Sequence, residues 1–287
     1  MSTFQAHKIQ EVLENPDLLE AVIYVFQKIH RFPSELAPLP KAFCALVEKE
    51  VLREDLSGFT ESFGLRGAYA CYEWYRQIFS PDCWAKYLEK VQVRDKCVLD
   101  VGCGPGATIA WSLRMGAYRV KGVDVDRVAL TIASQLLGDQ RRAELTFGDA
   151  HALADRDESF DVVLCRVSLN YMRHEVAIRE FSRVLKSGGI LYLLVHRFWY
   201  YFSMLHTGRL RHGGCVIANG LSLSLLGRRL RGLEVYLTES ELLRATSLAR
   251  LKEVELWHPT PFSYYLAGIF VKDKHNYSTH ETQFRSA

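Results

Sequence analysis

The sequence has no apolar run that approaches the roughly 18 residues of a membrane span. Its first residues, Met1–Glu14, are polar and mixed in charge, without the apolar centre of a secretory signal. The 36 basic and 33 acidic residues give a net charge of +3, which is too balanced for a protein that coats nucleic acid. Internal repeats and low-complexity tracts are also missing. We therefore expect a soluble globular protein without a nucleic-acid partner.

The seven cysteines include no C-x-x-C pair, and their number is odd. A disulfide framework and a zinc site are both disfavoured by this pattern. Several cysteines lie inside apolar, strand-like runs, where a thiol behaves as a small buried hydrophobe. We expect a reducing, cytoplasmic compartment.

Residues 1–90 have mostly helical spacing of their apolar residues, as in Leu18–Ile29. Prolines at positions 33, 38 and 40 separate that helix from a second one over 42–51. The stretch Tyr69–Trp84 is dense in aromatic side chains, which predicts a seam between helices and a sheet. We therefore predict a helical N-terminal cap over residues 1–90.

From Asp95 to Val195 the pattern changes to short apolar runs that alternate with helical segments. This alternation predicts βαβ units and a mostly parallel sheet. The run Lys186–Gly189 predicts a glycine helix stop. The predicted strands are Cys97–Val101, Arg119–Val123, Glu144–Phe147, Val162–Cys165 and Ile190–Val195, with helices near Thr108–Arg114, Val128–Leu137 and Val176–Leu185.

A capping box at Thr238 and Glu241 predicts one further helix. Two strands are predicted after it, over Lys252–Trp257 and Tyr264–Lys272. This helix and the two strands complete a second predicted unit, which covers residues 91–287.

Residues 197–237 form a segment too long for an ordinary connection, and we predict a lid there. The aromatic run Phe198–Phe202 either covers an acceptor or forms an extra helical layer or a dimer contact. Three arginines, Arg228, Arg229 and Arg231, either bind an anionic group or membrane surface, or form a solvated basic face.

The strongest signal is the run from Val98 to Ala107, which reads V-L-D-V-G-C-G-P-G-A. An apolar strand ends in an acid and enters a glycine-rich turn, where glycines let a ligand approach the backbone closely. The run resembles motif I of the class I S-adenosylmethionine-dependent methyltransferases, D-x-G-x-G-x-G, at each fixed position. The same turn also fits the dinucleotide fingerprint G-x-G-x-x-G/A, which leaves a nicotinamide enzyme as an alternative.

Later elements separate these two interpretations. Asp124 ends the second strand, but nicotinamide enzymes also place an acid there. Phe147–Ala150 resembles the G-D-A element of the methyltransferases, and Ser159–Cys165 resembles their fourth-strand signature. Arg183–Gly189 is similar to R-V-L-K-P-G-G, with Ser187 in place of proline. The resemblance covers about Lys90 to Val195 well, the C-terminal strands loosely and the first 90 residues hardly at all.

The resemblance implies an α/β, Rossmann-like, doubly wound sheet of seven mostly parallel strands, with an N-terminal helical extension and a C-terminal lid. It also implies S-adenosylmethionine as cofactor, with S-adenosylhomocysteine as product. Asp100 would orient the turn and the cofactor's amino group, Asp124 would accept the ribose hydroxyls, and Asp149 would accept the adenine amino group. The other implied cofactor residues are Gly102, Cys103, Gly104, Gly106, Val125, Ala150 and Arg166.

The acceptor is expected at the carboxyl ends of the fourth and fifth strands. After the fourth strand the chain lacks N-P-P-Y and D-P-P-Y, by which many DNA adenine and glutamine-directed methyltransferases grip a planar amide or amine. His196 ends the fifth strand, and an ordinary pKa of about 6.5 suits a general base. The alternative for His196 is a hydrogen-bonded turn histidine, and the alternative for Arg166 is a structural ion pair. We predict His196, Tyr171 and Asn170 as catalytic.

These features predict methyl transfer to a small-molecule acceptor, at oxygen before nitrogen, such as a sugar or a specialised metabolite. A methyltransferase of RNA or protein and a non-catalytic binding partner are the alternatives. His174 is predicted at the surface, and the histidines form no ligand cluster, so no metal is expected. The sequence leaves a homodimer open.

Overall fold

The structure, a computed structural model, describes residues 3–16, 18–20, 22–23, 66–79, 88–206, 210–227, 234–259 and 264–273. These residues include one seven-stranded sheet with the order β3-β2-β1-β4-β5-β7-β6, in which β7 runs antiparallel to both neighbours and the other pairs are parallel. The predicted Rossmann-like, seven-stranded fold is confirmed. The strands are β1 Cys97–Val101, β2 Arg119–Asp124, β3 Ala143–Phe147, β4 Phe160–Arg166, β5 Leu185–His196, β6 Leu251–Trp257 and β7 Tyr265–Lys272.

Helices cover both faces of the sheet, as the alternating apolar runs predicted. The described helices are α1 Thr3–Glu14, α2 over 66–79, α3 Ala107–Arg114, α4 Arg127–Leu137, α5 His174–Val184, α6 Phe198–His206, α7 Leu210–Leu226 and α8 Glu239–Leu248. The last five residues of α2, Tyr75–Phe79, form a wide π turn. Among the described residues, no helix has the length and apolar character needed to cross a bilayer.

Successive side chains of the central strands point to opposite sides of the sheet, and both sides are buried. Val98 of β1 and Tyr192 of β5 belong to one core cluster, whereas their neighbours Leu99 and Leu193 belong to the other. This arrangement explains why β1, β4 and β5 read as nearly continuous apolar runs in the sequence.

The N-terminal helices share a core with the sheet. Ile9 and Val12 of α1 and Tyr72 of α2 lie in the same cluster as Val98, and α1 contacts α4. The described parts of residues 1–90 are largely helical, as predicted. The three prolines, the predicted helix over 42–51 and Trp84 lie outside the described residues.

The predicted glycine stop before β5 is wrong. Helix α5 ends at Val184, and Leu185 is already extended, with φ −70° and ψ 136°. Leu185 pairs with Phe160 of β4, so the Lys186–Gly189 run lies inside β5. The helix ends early because the chain gains strand hydrogen bonds at Leu185.

The lid segment, residues 197–237, contains α6 and the 17-residue helix α7. The predicted capping box opens α8: Thr238 Oγ1 accepts from the Glu241 amide at 3.2 Å, and the Glu241 carboxylate accepts from the Thr238 amide at 2.9 Å. The cluster Arg228, Arg229 and Arg231 lies outside the described residues.

Candidate active site

The glycine turn between β1 and α3 is held in place by the end of β2. The amides of Gly102 and Cys103 donate to the Val123 carbonyl at 2.8 and 3.3 Å. The Gly104 amide donates to Asp124 Oδ2 at 2.8 Å. Gly102, Gly104 and Gly106 have φ of 71°, 51° and 85°, a left-handed region that favours glycine. A Cβ atom on Gly104 would meet no other atom within 4 Å, so the turn presents open backbone there.

Gly122 in β2 allows the turn to approach this closely. A Cβ atom at Gly122 would lie 2.4 Å from Ile109 Cδ1 and 2.8 Å from Cys103 Sγ. The Cys103 side chain is therefore buried against β2, and the turn rests directly on the sheet.

A cleft with an empty volume of about 830 Å³ opens over the glycine turn. Its walls come from the turn, the ends of β4 and β5, the start of β7, and helix α2. Aromatic side chains make up much of the lining, with several charged groups near Asp100. The aromatic lining residues are Tyr69, Tyr72, Tyr171, Tyr200 and Tyr265, together with His196.

Asp100 and Arg166 both line this cleft, near the carboxyl ends of β1 and β4. Asp100 is almost fully buried, and burial raises the pKa of its carboxyl to about 7, although Arg166 opposes the shift. Its Oδ2 atom has no hydrogen-bond partner among the described residues. Arg166 donates to Thr108 Oγ1 at 2.7 Å and to Gln77 Oε1, and lies 3.8 Å from the Glu73 carboxylate. Arg166 therefore lines the cleft and forms a buried ion pair at the same time.

Asp124 and Val125 lie at the carboxyl end of β2, beside the turn. Asp124 accepts from the Gly104 amide through Oδ2 and from the Asp126 amide through Oδ1, both at 2.8 Å. Val125 is strongly exposed. Each carboxylate oxygen of Asp124 retains a lone pair, so a further pair of hydroxyl donors fits the group.

Asp149 and Ala150 follow β3 at the same edge of the sheet. The Asp149 side chain is largely exposed and accepts from the His151 amide at 2.9 Å and from His151 Nδ1 at 2.5 Å. These contacts, the backbone bond first, lower the pKa of Asp149. Ala150 is buried in the second core cluster, so its side chain faces the core. His151, which the sequence did not indicate, contacts Asp149 only at Oδ1, so Oδ2 keeps its acceptor sites for a ligand.

His196 ends β5 and lines the cleft, but it is buried. Its ring stacks on Tyr200 with a centroid distance of 3.8 Å and an interplanar angle of 1°. Burial lowers its pKa to about 3, and the nearby Arg76 also lowers it. The expectation of an ordinary pKa is therefore wrong, because this ring has lost the solvent that stabilises its cation. His196 is neutral at pH 7.

Asn170 does not reach the cleft. Its side chain is fully buried and clamps two chain segments: Nδ2 donates to the carbonyls of His196 and Val235 at 2.9 and 2.8 Å, and Oδ1 accepts from the His196 amide at 2.9 Å. This geometry contradicts the prediction of a direct catalytic contact, because both amide hydrogens of Asn170 are already used. Asn170 instead fixes the backbone of His196.

Tyr171, next to Asn170, is about half exposed and lines the cleft, and its hydroxyl hydrogen-bonds with Glu234 of the lid. His174, three residues further on, is buried at the start of α5, so the prediction of a surface position is wrong. The buried face of α5 includes His174 together with Ala177, Ile178 and Phe181.

Helix α2 supplies cleft residues that the sequence interpretation missed. Glu73 and Arg76 form a buried ion pair in the cleft wall, close to Tyr69 and Tyr72. Trp74 Nε1 donates to the Pro105 carbonyl at 2.9 Å and so ties α2 to the glycine turn. The density of aromatic residues in this stretch indicated packing against the sheet. The charged residues Glu73 and Arg76 among those aromatics were the signal that the helix also lines a cleft.

Known proteins resemble the central part of the chain. Residues 99–193 match a family described as a methyltransferase domain. Methyltransferase GfsG from Streptomyces halstedii is 38% identical over 98 residues, which is 33% of this chain and 35% of that protein. Demethylmenaquinone methyltransferase from Staphylococcus haemolyticus is 37% identical over 117 residues, which is 39% of this chain and 48% of that protein. The chain thus spans between about a third and a half of the length of these two relatives.

The crystal structure of an S-adenosylmethionine-dependent methyltransferase from Mesorhizobium loti has the same fold. Its TM-score is 0.52 at 16% identity, with 66% of this chain and 97% of that chain covered. The sheet described above therefore has the class I methyltransferase fold. Among the described residues, no group of three or more His, Cys, Asp or Glu side chains is arranged to hold a metal ion.

The assignment of Asn170 as a clamp predicts a stability effect. Asn170→Ala leaves the His196 amide and the Val235 carbonyl without partners in a buried site, whereas the His196 carbonyl keeps the Leu237 amide at 3.3 Å. We expect the free energy of unfolding to fall by at least about 2 kcal/mol, because each orphaned buried group costs about 1–3 kcal/mol. Urea unfolding followed by circular dichroism measures this, with Gln140→Ala, an exposed amide, as the matched control. Equal stability of the two variants would contradict the assignment of Asn170 as a clamp.

Proposed function

We propose that this chain transfers a methyl group from S-adenosylmethionine to a small-molecule acceptor bound in the cleft. The observation that carries the proposal is the open backbone of Gly104 beside the buried, unpartnered Oδ2 of Asp100. A site that combines open glycine backbone with a buried acid suits a ligand that approaches the turn closely and carries an amino group. The match of residues 99–193 to a methyltransferase domain supports the same conclusion.

The residues present fit the cofactor along the sheet edge. Asp100 and the turn Gly102–Gly106 would hold its amino-acid part, Asp124 its ribose, and Val125 and Asp149 its adenine. Asp100 fits because a cationic amino group would stabilise the ionised form that burial disfavours. Asp149 fits through Oδ2, because both contacts of His151 are to Oδ1.

S-adenosylmethionine supplies a methyl group already activated on a positively charged sulfur, so little covalent help from the protein is needed. The main tasks of the chain are to hold the acceptor in line and to exclude water. The aromatic side chains that α2 and the lid contribute to the cleft walls exclude water. His196, neutral at pH 7, takes the proton of an acceptor hydroxyl.

A small acceptor is supported by the aromatic side chains that line the cleft, and methylation at oxygen before nitrogen is part of the proposal. A sugar or a specialised metabolite is the first class to screen. One relative is by name a demethylmenaquinone methyltransferase, which adds ring-containing acceptors to the screen. The free thiols of Cys71, Cys97, Cys103, Cys165 and Cys215 support a reducing, cytoplasmic setting.

The alternatives are an RNA or protein acceptor, and a binding role without catalysis. An RNA acceptor is disfavoured by the balanced charge of the chain. A homodimer stays a prediction, to be read from the sedimentation of the purified chain.

Calorimetric titration tests the cofactor. We expect S-adenosylmethionine and S-adenosylhomocysteine to bind and NADH not to bind. Asp124→Ala should weaken binding of the first two by about 10- to 100-fold, the scale for losing a charged hydrogen-bond partner. Asp139→Ala, which removes an exposed carboxylate outside the site, is the control. Binding of NADH, or no binding of either cofactor form by a folded sample, contradicts the proposal.

Protons released on binding report on Asp100. Its pKa of about 7 in the free protein should fall when a cationic amino group binds beside it. We therefore expect Asp100 to release a fraction of a proton at pH 7 when the ligand binds. Titrations with S-adenosylhomocysteine in two buffers of different ionisation enthalpy measure this number, and Asp100→Asn should abolish the difference between the buffers. The same enthalpy in both buffers for the unmutated chain would place the amino group elsewhere.

Removal of His196 separates catalysis from binding. His196→Ala should slow methyl transfer to a hydroxyl acceptor by about 10²-fold or more while leaving the affinity for S-adenosylhomocysteine unchanged. His258→Ala, which removes an exposed histidine, serves as control and should keep the rate. The assay follows S-adenosylhomocysteine formation with an acceptor from the screen. A normal rate in His196→Ala would leave the residue with a structural role only.

A further inference from the structure

Behind His196, a chain of polar groups leads from the cleft to the surface through the lid. His196 Nδ1 lies 3.3 Å from the Tyr201 hydroxyl, and that hydroxyl donates to Glu234 Oε1 at 2.9 Å. On the far side, Glu234 Oε2 lies 3.0 Å from His212 Nε2, and the His212 side chain is 44% exposed. The described part of the chain contains no acidic residue other than Glu234 between His196 and Thr238.

The hydrogens in this chain of groups can be assigned by counting donors. Although burial raises it, contacts with His212 and the hydroxyls of Tyr201 and Tyr171 hold the pKa of Glu234 below its ordinary value, so Glu234 is ionised and only accepts. Tyr201 has one hydroxyl hydrogen, which it gives to Glu234. Tyr201 can then only accept from His196, so Nδ1 carries the hydrogen of the neutral ring. The lone pair of His196 is left on Nε2, which has no hydrogen-bond partner among the described residues.

We propose that Glu234, acting through Tyr201, is a positioning residue that holds His196 in the Nδ1–H tautomer and receives the net proton of the methyl-transfer reaction. This inference rests on the proposed function, because it assigns a role to the base of that reaction. It adds the lid as part of the catalytic apparatus rather than as a cover alone.

The proton path balances without any further reactant. The acceptor hydroxyl gives its proton to Nε2 of His196, and the Nδ1 hydrogen passes to the Tyr201 oxygen. Tyr201 passes its own hydrogen to the Glu234 carboxylate. The net change is one proton moved from the acceptor to Glu234, with His196 left neutral in the opposite tautomer. Water then takes the proton from Glu234, whose side chain is partly exposed at 11%.

This path answers the difficulty raised by the buried ring. A histidine whose cation is strongly disfavoured is a poor final holder of a proton, but it can pass one on without becoming a cation. The groups that face His196 are Tyr200, Tyr201 and Tyr265 in ring contact and Arg76, Glu234 and His212 at longer range. Arg76 and His212 oppose a positive charge on the ring, and Glu234 alone favours it.

The test reads the tautomer directly and needs no acceptor. Full-length protein labelled with ¹⁵N-histidine is studied by long-range ¹H–¹⁵N correlation, and the His196 signals are identified by their loss in His196→Asn. We expect Nδ1 protonated in the unmutated chain. In Tyr201→Phe we expect the hydrogen to move to Nε2 in a large share of the molecules. Tyr236→Phe, a buried lid tyrosine outside this chain of groups, should keep the original tautomer.

Glu234→Gln provides a second variant in case Tyr201→Phe fails to fold. The amide of glutamine can donate to Tyr201, which frees the Tyr201 hydrogen for Nδ1, so Nε2–H should again gain population. The proposal is overturned if His196 carries its hydrogen on Nε2 in the unmutated chain, or if the tautomer of His196 is unchanged in both variants.

Titration of the same samples with S-adenosylhomocysteine separates the two proposals. Binding together with the wrong tautomer refutes only the role of Glu234. The expected tautomer in a chain that does not bind S-adenosylhomocysteine refutes the proposed function, and with it the catalytic use of this proton path.

Discussion

The contact between the glycine turn and the end of β2 is the constraint on which the rest of the site depends. Three amides of the turn donate to Val123 and Asp124, and Gly122 removes the side chain that would push the turn away from the sheet. The turn therefore lies where the strand order reverses, between β1 and its two parallel neighbours β2 and β4. Such a position at the carboxyl ends of the strands is where open α/β sheets bind ligands.

Burial of polar groups gives the cleft its chemistry. Asp100 is poised near neutrality, His196 is held neutral, and Glu234 is held ionised by its hydrogen-bond donors. The first two shifts have the same origin, since removal of solvent disfavours the charged form of each group. Neighbouring charges then limit each shift, because Arg166 lowers the pKa of Asp100 and Glu234 raises the pKa of His196.

Two segments outside the central fold complete the cleft. Helix α2 brings tyrosines and a Glu73–Arg76 ion pair over the turn, and the lid brings Tyr201 and Glu234 behind His196. Asn170 joins the lid to the end of β5, because one side chain holds the backbone of both His196 and Val235. The lid and the end of β5 are thereby positioned as one unit.

Much of the fold, and the placement of three acids along one edge of the sheet, could be predicted from the sequence alone. The strand runs, the glycine turn and the acids at Asp100, Asp124 and Asp149 are local patterns, because strand periodicity and positive φ leave a direct mark on neighbouring residues. The tertiary structure alone decided which residues meet in the cleft. Glu73 and His196 are 123 positions apart in the chain, and no local pattern encodes their approach to one cavity. Nor does local pattern encode burial, so only the folded chain could show that His196 has lost its ordinary pKa, that His174 is enclosed, and that Asn170 is spent on holding backbone.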